Sequence, residues 1–137
     1  MKPKAENTSA PTASGTGTRR FTLAMRGFFL LYLAGGLVFL FLPDVVSRVL
    51  GLAPPLDRFW VALSVSMMAM LAYLSRESSR DPANAACVKA HLLSKGASVA
   101  GFLLAYLALD RPLAAYLVGA GVDLAILLSV WRLWRGV

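Results

Sequence analysis

Four apolar runs, each long enough or nearly long enough to cross a lipid bilayer, restrict this chain to one kind of architecture. The clearest extends from Pro112 to Trp134, 23 residues interrupted by a single carboxylate, Asp123. At 1.5 Å per residue, that length spans a hydrocarbon core of ~30 Å. The other runs are Phe21 to Leu42, Phe59 to Ser75, and a longer stretch from Pro82 to Leu109. The sequence therefore predicts an all-α fold: a polytopic membrane protein, built as a four-transmembrane-helix bundle with short loops, with spans at about 21–42, 59–75, 82–109 and 112–134.

Composition supports this reading. Hydrophobic residues make up 58% of the 137 positions and charged residues 15%, against about 25% charged in soluble domains. The net charge of +7 raises the question of nucleic acid, but the positive residues flank apolar runs and form no stripe interleaved with aromatics. No nucleic-acid partner is expected; the lipid bilayer is. Of the 14 basic residues, only Arg48, Arg58 and Arg111 fall on one side of the four-span topology. The positive-inside rule then predicts a multi-pass protein of a bacterial-type inner (plasma) membrane, both termini cytoplasmic. Cys87 is the only cysteine, so no internal disulfide can form.

Residues 1–18 hold Ser, Thr, Ala, Pro, Gly and Lys with almost no large apolar side chain, a composition expected to stay disordered. The run behind Arg19 and Arg20 has the charge pattern of a signal peptide, yet it continues well past the small residues Ala34-Gly35-Gly36, and a retained span is expected. Asp57 is placed to cap the second span. Asp81-Pro82 reads as an N-cap and first helical residue of the third, and Asp110-Arg111-Pro112 as the turn into the fourth. Between the first two spans, Asp44 to Leu50 followed by Gly51 resembles a short interfacial helix closed by glycine, although a plain connector is the simpler expectation. Trp131-Arg132-Leu133-Trp134-Arg135 is suited to the membrane–water interface.

An acid at bilayer depth costs about 2.5 kcal/mol or more, so it faces protein or water and has a partner. Lys95 is the only other ionisable side chain well inside a span. It lies as far before Leu109 as Asp123 lies after it, which puts both at one depth on opposite arms of a hairpin. An ion pair is thus expected, as a structural clasp in preference to a proton relay or ligand site. His91 and Ser98 share a helix face with Lys95, and Ser94 lies beside them. This stripe, with Asp123, makes up the candidate ligand-binding or ion-pair set. His91 could titrate, since an unperturbed imidazole has a pKa of about 6.5, but a hydrogen-bonded packing role is expected over haem ligation. Met67, Met68 and Met70 are expected to pack and not to bind copper, so no metal site is predicted. Ala97, Gly101 and Ala105, the series Ala90, Ser94 and Ser98, and Gly119 and Gly121 suggest close helix approach. No Walker loop, zinc motif, nucleophile elbow or catalytic carboxylate pair occurs.

Four short spans, Gly35-Gly36 in the first, Leu42-Pro43 leading into a hydrophobic segment that ends Leu50-Gly51-Leu52, and an acid in the last together resemble the DoxX-like group of small four-helix membrane proteins, over roughly residues 26–134. The resemblance implies the same fold, and some members of that group are implied to be subunits of quinone-linked sulfur oxidation. No functional residue carries over from it. The expected function is non-enzymatic: an accessory subunit of a larger membrane complex, or a small binding module, without a cofactor. Two alternatives stand beside it. One is a quinone-interacting subunit in which His91 and Lys95 donate to the head group; the other is a proton-coupled carrier acting as a homo-oligomer through Asp123.

Overall fold

The computed structural model describes residues 13–51, 57–108 and 114–137. Five helices follow in order: α1 (Ala13–Phe41), α2 (Pro43–Val49), α3 (Arg58–Arg80), α4 (Ala85–Ala108) and α5 (Ala114–Trp134). Four of them, all but α2, are long and apolar enough to cross a membrane. The described residues contain no strand, and the fold is an all-α four-helix bundle.

Several boundaries differ from the sequence reading. The first helix starts at Ala13, so residues 13–18 are helical where disorder was expected. Once the apolar part of α1 is formed, each added residue gains a hydrogen bond without a new nucleation cost; residues 1–12 lie outside the described part. Asp57 caps α3 as expected, its Oδ1 accepting from the Phe59 N–H at 2.8 Å. That helix continues beyond Ser75 to Arg80, because Arg and Glu sustain a helix after the apolar stripe ends.

Asp81 does not start the third span. Its N–H closes α3 on the Glu77 carbonyl, and its carboxylate accepts from the Ala83 N–H at 3.2 Å. Pro82 lies within that turn. The cap belongs to Asn84, whose Oδ1 accepts from the Cys87 N–H at 3.3 Å as α4 begins at Ala85. The turn expected at Asp110-Arg111-Pro112 and the Ala53-Pro54-Pro55 segment lie outside the described residues.

The segment after the first span is a helix and not a plain connector. Proline in the first turn of α2 loses no hydrogen bond there, the buried Ser47 hydroxyl donates to the Pro43 carbonyl at 3.0 Å, and the chain leaves through Gly51 at φ +71. That left-handed conformation suits glycine because it lacks a Cβ.

α1 packs chiefly on α3, and α4 chiefly on α5. The bundle is thus two adjoining helix pairs, one from each half of the chain. Inward positions repeat at spacings of three, four or seven residues: Phe21, Met25 and Tyr32 on α1; Val88, His91 and Lys95 on α4; Ala120, Asp123, Ile126 and Val130 on α5. This spacing places them on one face of each helix. The outward faces carry large exposed apolar side chains such as Leu30, Leu93, Leu104 and Leu107, as a lipid-facing surface requires.

The small residues are used differently from the expectation. Gly101 and Gly121 have open space beside them, and Ala97 is exposed. Close approach occurs instead at Gly35 and Gly36, which face Met68, and at Gly119, where a Cβ would lie 3.0 Å from the Phe102 ring.

Candidate functional site

Lys95 on α4 and Asp123 on α5 meet inside the bundle, with Nζ donating to Oδ1 at 2.6 Å. Their side chains are only 7% and 11% exposed. Hairpin geometry explains the meeting, since two antiparallel helices separated by only five residues bring positions equidistant from that connection to one depth. The ammonium also lies 4.8 Å from the centre of the Tyr32 ring, an arrangement in which the negative face of the ring attracts the cation. Lys95 thus has two partners, one on α5 and one on α1.

On the side nearer the chain termini, the pair rests on a packed polar layer. His91 is fully buried. Its Nε2 lies 3.4 Å from the Tyr32 hydroxyl and its Nδ1 3.4 Å from the Ser75 hydroxyl. A neutral imidazole donates through one nitrogen and accepts through the other, so one hydroxyl accepts while the other donates. The Phe28 ring centre stands 6.4 Å from that of His91. Deeper in the same direction, Phe21, Met25, Val88, Ile126 and Val130 form a closed apolar cluster. Ser78, one turn beyond Ser75, buries its hydroxyl without a partner among the described residues.

The opposite side of the pair is hollow. A half-open cavity of about 420 Å³ is bordered by all four spans and the Leu50 end of α2, with Lys95 and Asp123 among its walls. Ser64, Ser98 and Gly119 supply small surfaces there, and Met67, Phe102 and Tyr116 supply apolar ones. The Phe102 and Tyr116 ring centres are 6.4 Å apart. The cavity is much more apolar than polar, and its charged groups neutralise each other. A ligand carrying net charge would meet an opposing charge already satisfied. A neutral group that both donates and accepts hydrogen bonds could share the pair without breaking it.

Of the candidate residues read from sequence, Lys95, Asp123 and Ser98 lie on the cavity. His91 lies beneath it and does not line it, its two nitrogens facing Tyr32 and Ser75. Ser94 is half-buried, forms no hydrogen bond among the described residues and does not line the cavity. Tyr32, Ser75, Phe102 and Tyr116 were not anticipated. For Tyr32 a signal existed, since a tyrosine at mid-span must place its hydroxyl on a polar partner; for the other three, nothing in the apolar pattern marks an inward position.

No protein-family model matches the chain, no curated protein matches it, and no solved structure matches it.

Proposed function

We propose that this chain is a small binding module of a bacterial-type inner membrane, DoxX-like in kind, with both termini cytoplasmic. It holds a neutral amphiphile in the cavity over Lys95 and Asp123 and works as an accessory subunit of a membrane complex or as a homo-oligomer. The observation that carries this reading is the ion pair exposed on one side to an apolar cavity of about 420 Å³. Burying two charges costs several kcal/mol per ion before their attraction is counted. A pair kept only as a clasp has no need of an open volume against it. Apolar walls with a few convergent polar groups are the ordinary make-up of a ligand pocket.

A quinone is one member of this ligand class, and the paired rings of Phe102 and Tyr116 on the cavity wall favour a flat head group. In that case Lys95 and Ser98 supply the donors, because His91 is occupied beneath them. Against a carrier stands the apolar cluster of Phe21, Met25, Val88, Ile126 and Val130, which fills the bundle between the pair and the termini.

The test is mild detergent extraction from the native membrane, followed by mass spectrometry of co-purified small molecules, for the natural chain and for Ser98→Leu. A neutral amphiphile held stoichiometrically by the first and lost from the second supports the proposal. Identical extracts from the two proteins would overturn it.

A further inference from the structure

A second site lies at the other end of the bundle, near the chain termini and away from the Lys95–Asp123 cavity. A depression of about 320 Å³ opens between α1 and α3, lined by Arg26, Phe29, Leu30, Arg76, Ser79 and Arg80. Arg76 and Arg80 are one turn apart on α3 and so share a face, and Arg26 reaches the same space from α1. Neither Arg26 nor Arg76 has an acceptor among the described residues. Arg80 has only a long, exposed contact of 3.5 Å with Glu77. Three arginines from two helices thus line one depression, with the Glu77 carboxylate beside Arg80.

Like charges held together repel unless an anion joins them. Arginine is the side chain whose planar fork matches phosphate oxygens in pairs. The walls fit a particular form of that anion. The Ser79 hydroxyl donates to the Arg76 carbonyl at 2.7 Å and so leaves the arginines as the donors, while Phe29 and Leu30 continue the depression towards mid-membrane, and Leu30 is exposed where lipid lies. A headgroup phosphate held by the arginines would have its acyl chains directed along this apolar side. Basic pockets between spans at the membrane surface have the electrostatics that anionic lipid headgroups require.

We propose that Arg26, Arg76 and Arg80 form a binding site for a phosphate anion, with the headgroup of an anionic phospholipid as the source that fits the adjoining apolar wall. The site is independent of the cavity over the ion pair, and its success or failure leaves that reading untouched.

The experiment uses the full chain in micelles containing equal amounts of phosphatidylglycerol and phosphatidylcholine with identical acyl chains. Retained lipids are counted by native mass spectrometry. Phosphatidylglycerol should be retained about tenfold over phosphatidylcholine, and Arg26→Gln/Arg76→Gln should abolish that preference. Arg132→Gln/Arg135→Gln, which removes the same charge from α5 and its end, should leave it intact. A second arm titrates inorganic phosphate into lipid-free protein by calorimetry. Binding there that is lost in Arg26→Gln/Arg76→Gln would support the site with free phosphate as its source. The proposal is overturned if neither arm shows binding, if the Arg26/Arg76 variant keeps the lipid preference, or if the Arg132/Arg135 variant loses it equally. Arg26 and Arg76 are exposed and have no acceptor among the described residues, so unchanged melting is expected; should Arg26→Gln/Arg76→Gln unfold, Arg76→Gln alone gives the same reading with a loss of about threefold.

Discussion

The two halves of this bundle use the same four helices to opposite ends. Towards the termini, Phe21, Met25, Val88 and Val130 are completely buried and pack into one apolar cluster. Towards α2, the same helices present Ser64, Ser98, Ala115 and Gly119 at inward positions and border a half-open cavity. The difference is one of side-chain volume at equivalent faces, since both halves are lipid-wrapped helices. It teaches that packing in this protein is a local choice. The ion pair sits at the boundary, where a rigid floor can orient whatever fills the space above.

The largest test of that boundary removes one charge. Lys95→Met or Asp123→Leu alone leaves an uncompensated ion in the bundle and should destabilise it by about 3 kcal/mol. The double variant Lys95→Met/Asp123→Leu should return to within about 1 kcal/mol of the natural chain. Thermal unfolding in detergent reads both, and equal losses in single and double variants would show that charge is not what makes this layer sensitive. Next in size is the contrast between the halves. Met25→Ala should cost about 1–2 kcal/mol, less than a core truncation in water because lipid already accommodates apolar groups, whereas Phe102→Leu on the half-buried cavity wall should cost under about 1 kcal/mol. Equal values would mean that the cavity end is as tightly packed as the other.

Gly119→Ala sharpens the comparison at the cavity wall. Its new methyl would press on the Phe102 ring, which borders open space and can yield into it. A cost of about 1 kcal/mol is expected, together with weaker retention of the cavity ligand in the extraction experiment. Smallest of all is Tyr32→Phe, which removes the 3.4 Å contact to His91 but keeps the ring beside Lys95. A change of about 0.6 kcal/mol, the mean for hydrogen bonds between membrane helices, should appear in the same melting measurement.

Much of the fold was legible because water-to-lipid transfer writes directly into sequence: a run of apolar residues has few other uses. The Lys95–Asp123 contact was legible for a related reason, as two ionisable groups inside spans stand out and hairpin spacing relates them. What did not show was which apolar face turns inward. In a soluble protein the polar face would reveal it, but here lipid and core are both apolar, so Phe102 and Leu104 look alike although one lines the cavity and the other is exposed. The start of α4 was obscured by competition between two equally good capping side chains. Asp81 took the turn and Asn84 the helix, and the choice between them depends on where α3 stops.

The division into two sequential helix pairs bears on how the protein is made. Lys95 and Asp123 both belong to the C-terminal pair, 28 residues apart. Neutralisation of the lysine therefore needs nothing from α1 or α3 beyond the face of the Tyr32 ring. During synthesis, α4 would reach the membrane carrying an unmatched charge and lose it as soon as α5 follows. The C-terminal hairpin can thus insert as an electrically balanced unit and dock afterwards on an N-terminal hairpin already in place. Biogenesis would then proceed in two instalments, with the cavity absent until the second is delivered.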